Sequence, residues 1–178
     1  MTDVEDLNRR NADYAANAFV SGLKINPSGN LMVIGCVDPR VDPTHLLQLT
    51  DGEAAVVRNV GGRVTPATLR TLKMLSVVGA ANAETRQPGH WNLVVLHHTD
   101  CGMTDLSGSP DLLAEYFEVL PSELDHLGVT DPVRSVQVDV EVVRRNLRAP
   151  EYYVSGLVYD VDTGHIETVV PPALLPES

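Results

Sequence analysis

Leu31-Met32-Val33-Ile34-Gly35 is an uncharged apolar run that ends in Cys36-Val37-Asp38-Pro39-Arg40, a cluster of metal-binding and ionisable side chains. The turn-forming stretch Asn26-Pro27-Ser28-Gly29-Asn30 precedes it, so residues 31–35 read as a strand buried on both faces. The same grammar recurs twice. Ala54-Ala55-Val56-Val57 reads as a second buried strand that delivers Arg58-Asn59-Val60-Gly61-Gly62 to a loop. Leu93-Val94-Val95-Leu96 reads as a third and leads into His97-His98-Thr99-Asp100-Cys101-Gly102.

Helical patterns separate these runs. Residues 5–22 predict a helix from the spacing of Leu7, Tyr14, Ala15, Ala18 and Phe19, with Ser21-Gly22 ending it. Thr65-Pro66 caps and opens a helix to about Ala81, striped by Leu69, Leu72, Leu75 and Val78. A short helix is expected around Leu112 to Val119, and Asp131-Pro132 starts another that runs to about Leu147. Tyr152 to Asp160 reads as a fourth strand, and His165 to Val170 as an edge strand after the Asp162-Thr163-Gly164 turn. Alternating strands and helices predict an α/β fold: a mainly parallel central sheet of four to five strands with helices on both faces. No linker or repeat divides the 178 residues, so one domain is expected, with 1–25 as an N-terminal helical arm and 30–170 as the α/β core. Aromatic residues are 4% of the chain, so the core must be built from Val, Leu and Ala.

The formal charge of −11 argues against nucleic acid or an anionic membrane as partner, since both select for clustered Lys and Arg. No stretch approaches the roughly 20 apolar residues of a membrane span. The acidic start, Met1-Thr2-Asp3-Val4-Glu5-Asp6, lacks the apolar core of a signal peptide, so a cytoplasmic setting is expected. Thiols stay reduced there, which favours metal binding or catalysis over a disulfide for the two cysteines.

In parallel α/β sheets, ligands gather at the carboxyl ends of the strands, where Cys36, His98 and Cys101 all fall. Two thiolates and one imidazole make a three-ligand set for Zn²⁺, with a fourth position for water or a carboxylate. The two-residue gap in His98-x-x-Cys101 lets one turn aim both side chains at the same ion. His97 is the rival ligand. Strand alternation sends His97 and His98 to opposite sides, and His98 is the favoured one. A closed structural zinc site would need a fourth permanent ligand, for which Asp38 is the candidate. His45, His90, His126 and His165 read as surface or capping residues, Arg58 as a loop holder or partner of an acid, and Gly61-Gly62 as a place of unusual backbone angles or close packing.

Cys36-x-Asp38-x-Arg40, Arg58-Asn59-x-Gly61-Gly62 and His98-x-x-Cys101-Gly102, in this order and spacing, resemble the β-class carbonic anhydrase family over residues 30 to 105. The resemblance implies one zinc ion per subunit on Cys36, His98 and Cys101, and a catalytic pair of Asp38 and Arg40. It implies a homodimer or homotetramer whose N-terminal helix reaches over the partner. The compact length and the His97–Met103 run are most similar to a prokaryotic branch that includes hydrolases of carbonyl sulfide and carbon disulfide. The implied activity is zinc-dependent reversible hydration of carbon dioxide to bicarbonate, with carbonyl sulfide hydrolysis as the alternative. Pro39 and Val60 stand where the family carries smaller residues. A non-catalytic zinc-stabilised binding module is the competing class, but such a site has no use for Arg40 beside Asp38.

Overall fold

The apolar run at Leu31 forms β1 (Leu31–Cys36), in which Val33 and Ile34 are wholly buried, in a computed structural model that describes residues 2–176. The strand runs one residue further than its apolar pattern and places Cys36 at its last position. Its parallel neighbours are β2 (Ala54–Asn59), with Cys36 opposite Asn59, and β3 (Trp91–His98), with Gly35 opposite Leu96. Next to β3 lies β4 (Tyr152–Tyr159), also parallel, with His98 opposite Tyr159. The antiparallel β5 (Ile166–Leu174) closes the order β2-β1-β3-β4-β5. One strand departs from expectation in burial. Every residue of β2 is only half-buried, because β2 forms an edge of the sheet.

Among the described residues five α-helices connect or precede the strands: α1 (Val4–Asn17), α2 (Pro43–Leu46), α3 (Pro66–Ala81), α4 (Pro110–Phe117) and α5 (Pro132–Asn146). At the start of α3, Thr65 accepts from the Thr68 amide and Pro66 fills the first turn, as its sequence predicts. Val136, Val140 and Val143 of α5 and Leu72 of α3 pack with Met32, Ile34, Leu93, Val95 and Val154 on one face of the sheet. Each such valine contributes about 1.5–2 kcal/mol of burial. The opposite face, built on Val33, Val94 and Leu96, receives Leu47 at the end of the four-residue α2. Helices were expected on both faces; within this core the two long ones share one.

The ends of two helices also move. α1 stops at Asn17 rather than near residue 22, and none of its residues is buried. Without a tertiary surface to pack on, nothing holds a further turn of apolar but exposed residues in helical form. α4 lies two residues earlier than its apolar pattern, because Pro110 sets its first turn and Glu118 turns left-handed at φ 55°. Beneath it Met103, Leu113, Ala114, Phe117 and Leu124 form a small separate core. Among the described residues no helix is long and apolar enough to cross a membrane.

Candidate metal centre

Parallel pairing of β1 with β3 brings Cys36 beside the loop that leaves β3. Asp100 takes a left-handed conformation there (φ 52°) and turns the chain so that Cys101 comes back towards His98. One ligand atom each from Cys36, His98 and Cys101 lies within 4.8 Å of the others. His98 Nδ1 lies 2.8 Å from the Thr99 carbonyl oxygen. A carbonyl only accepts, so Nδ1 carries the proton and Nε2 is left with a lone pair. That Nε2 is buried and has no hydrogen-bond partner. A buried acceptor without a donor is costly unless a cation takes its place. His97 points the other way, with Nδ1 2.6 Å from Ser135 Oγ and Nε2 3.2 Å from Asp139 Oδ2, both on α5.

The electrostatics of the cluster suit a cation. The sulfurs of Cys36 and Cys101 lie close enough to compete for a proton. The hydrogen bond from Cys101, with help from His98, pulls the Cys36 thiol down to about 4, and the same bond and burial push Cys101 up. Burial opposes charge on the His98 ring, yet the nearby Cys36 sulfur, the Thr99 carbonyl and the Asp38 carboxylate together outweigh it and raise its pKa. Two close sulfurs cannot both ionise without a positive neighbour, and a divalent ion supplies one. Two soft thiolates with one imidazole suit zinc.

Asp38 sits two residues past Cys36, and its amide approaches Cys36 Sγ at 3.4 Å. Pro39 keeps Asp38 extended (ψ 127°), so its Oδ1 accepts from the Arg40 amide at 2.9 Å. The arginine side chain returns to the same carboxylate, Nη2 to Oδ2 at 2.7 Å and Nε to Oδ1 at 3.1 Å. This guanidinium holds the Asp38 carboxyl down to about 2. Proline at position 39 therefore leaves the pair intact. Arg58 holds the loop from the far side through the carbonyls of Cys36 (2.9 Å) and Asp38 (2.8 Å) and the carboxylate of Asp42 (2.6 Å).

Gly61 and Gly62 both have positive φ, and a Cβ on Gly62 would lie 2.9 Å from the Cys36 amide nitrogen. Only glycine lets this loop pass so close to β1. The four histidines read as surface residues, His45, His90, His126 and His165, are all exposed.

Two features escaped sequence reasoning. One is the contact of Arg40 with Asp100, whose Oδ2 accepts from Nη1 at 2.7 Å and whose carbonyl accepts from Nη2 at 2.8 Å. The other is a buried ion pair behind the centre. Arg63 Nε donates to Asp139 Oδ2 at 2.7 Å, Nη2 donates to the Leu127 carbonyl at 2.7 Å, and the Val64 amide donates to Asp139 Oδ2 at 3.0 Å. A signal for it existed. Asp139 is an acid set among Val136, Val140 and Val143 on the apolar stripe of α5.

Comparison with known proteins places these features in context. Residues 31–118 match the family model described as carbonic anhydrase. The chain is 31% identical to beta-carbonic anhydrase 1 of Mycobacterium tuberculosis over 96% of its own length and 100% of the relative's. It is 28% identical to a carbon disulfide hydrolase of Acidianus, covering 87% of this chain and 83% of that one. The carbonic anhydrase structure from Streptococcus mutans superposes with a TM-score of 0.69 at 28% identity, over 95% of this chain and 98% of that one.

Proposed function

The chain belongs to the β-carbonic anhydrase family, and on that premise we propose that it binds zinc through Cys36, His98 and Cys101 and catalyses the reversible hydration of carbon dioxide to bicarbonate. The observation that carries this reading is the buried, partnerless His98 Nε2 set against two thiol sulfurs, with an ionised carboxylate alongside. Zinc bound there would act as a Lewis acid that makes water a nucleophile near neutral pH. Asp38, held ionised by Arg40, can accept a hydrogen bond from that water and orient it. Arg40 meanwhile keeps the carboxylate engaged and away from the ion. Val37 and Val60, on the loops that leave β1 and β2, are about half exposed and offer an apolar approach suited to a small substrate without strong polar handles.

Asp38→Ala is expected to keep stoichiometric zinc and to lose about 10²–10³-fold in turnover, the usual loss when a hydrogen bond that positions the reacting group is removed. Stopped-flow hydration assays beside metal analysis measure both. Full activity in that variant would remove Asp38 from the mechanism.

Similarity to a carbon disulfide hydrolase favours a second reading, in which the same chemistry hydrolyses carbonyl sulfide or carbon disulfide with release of hydrogen sulfide. One zinc-loaded sample assayed for carbon dioxide hydration and for sulfide release from carbonyl sulfide separates the two. Faster sulfide release overturns the first reading, and no activity on either substrate overturns both. The cytoplasmic setting belongs to the same proposal, because ligand thiols must stay reduced.

The proposal extends to a homodimer or a tetramer of two such pairs. Val4, Leu7, Phe19 and Val20 of the arm are exposed. A cavity of about 520 Å³ lined by Met32, Leu69, Leu72, Leu93 and Leu147 opens beside α3 and the end of α5. The arm of a second copy is the proposed cover for this surface. Analytical ultracentrifugation at micromolar concentration should show no monomer; a monomer would overturn the assembly.

A further inference from the structure

The geometry points to Asp100 as a positioning residue that pins Arg40 from the side opposite Asp38 and thereby keeps Asp38 off the metal; this rests on the metal-centre reading above. Arg40 is shared between two carboxylates on two different loops. Its Nε and Nη2 serve Asp38, on the loop after β1, at 3.1 and 2.7 Å. Its Nη1 serves Asp100 Oδ2 at 2.7 Å, and Nη2 also reaches the Asp100 carbonyl at 2.8 Å. Asp100 stands between the candidate ligands His98 and Cys101, so Arg40 ties the loop of one ligand to the loop of the other two.

Arginine is suited to this bridge because its planar fork presents donors in fixed directions. Held at one edge only, by a neighbour two residues away, the guanidinium could swing outward and take up solvent. Held at both edges, it keeps Nε and Nη2 aimed at Asp38. The carboxylate of Asp38, two residues past Cys36, is an anion able to compete for the fourth position on the ion. Any loss of grip by Arg40 therefore favours a closed state in which Asp38 occupies that position. Asp100 has a left-handed backbone (φ 52°), a conformation that asparagine and glycine also adopt readily and alanine does not. Its side chain is 75% exposed, so its grip on Arg40 is modest in size.

The test uses the cobalt-substituted full chain and azide, which binds the metal only where the fourth position is free. Visible absorption of the cobalt reports the binding. Asp100→Asn keeps the backbone and an acceptor but no charge. Asp100→Gly removes the carboxylate without strain and keeps the carbonyl. Azide affinity is expected to fall about twofold in the first and about fivefold in the second, the range of an exposed charged contact. Adding Asp38→Ala should restore tight azide binding in both, which a merely loosened loop would not show. Equal azide affinity in parent and both variants would overturn the role of Asp100 while leaving the metal centre in place. So would weakened binding that Asp38→Ala leaves unrepaired. A parent chain that takes up no cobalt would overturn the metal-centre reading and the role of Asp100 with it.

Discussion

His98→Ala is expected to lower zinc affinity by about 10³-fold or more and to abolish turnover, since losing even an outer partner of a ligand costs 10–100-fold. The ring is the neutral donor of the set, and its Nδ1 bond to the Thr99 carbonyl fixes both tautomer and orientation. Alanine leaves two close sulfurs that, without a cation beside them, do not both ionise. Cys36→Ser and Cys101→Ser should do the same, because a hydroxyl does not ionise where a thiol does. His97→Ala is the control. It removes a ring that faces Ser135 and Asp139, so it should cost stability and leave stoichiometric zinc. Equilibrium dialysis against a competing chelator, with stopped-flow hydration on the same samples, reads both quantities. Retained zinc and activity in His98→Ala, with both lost in His97→Ala, would reverse the assignment of the two histidines.

That pair of adjacent histidines shows how far the sequence reaches. Period-two alternation says that only one of them can face the thiols, and the apolar runs around Val33 and Val94 say that the two strands are buried. Together these place Cys36 and His98 at the carboxyl ends of buried strands from the sequence alone. The meeting of Asp38 with Arg40 was also legible, because the residues are two apart and Pro39 restricts the turn. What stayed hidden depends on long-range packing. The burial of β2 could not be read from Ala54 to Val57, because a strand with an unpaired edge carries the same apolar run as a central one. The end of α1 was missed for the related reason that its apolar spacing continues where no surface of this chain receives it. Asp100 lies inside a recognised motif, yet its contact with Arg40 spans 60 residues and depends on the register of β1 against β3.

The ion pair behind the centre carries the largest stability effect. Asp139→Ala is expected to destabilise the chain by about 3–5 kcal/mol, the cost of leaving one buried charge without its partner. The side chains of Arg63 and Asp139 are only 2% and 3% exposed, so water cannot replace the lost carboxylate. The same truncation strands the Val64 amide and one side of His97. Against a total of roughly 5–15 kcal/mol, that is enough to unfold a marginal domain. Burial works against charge on Asp139, but the His97 ring beside it and the Arg63 guanidinium outweigh it and hold its carboxyl below the usual range. Because the native pKa is depressed, the stabilisation should be complete above about pH 4, the ordinary carboxylate value, and be lost as pH falls through the native one. Replacing both partners with apolar residues, Arg63→Met with Asp139→Leu, should recover most of the loss, because neither charge then needs a partner. Urea unfolding of the metal-free chain at pH 7 and at successively lower pH below about 4 measures these differences without interference from zinc. If Asp139→Ala cost less than about 1 kcal/mol at pH 7, the pair would be solvated in solution, and Arg63 would be held chiefly by the Asn59 side chain, which bonds both its amide and its carbonyl.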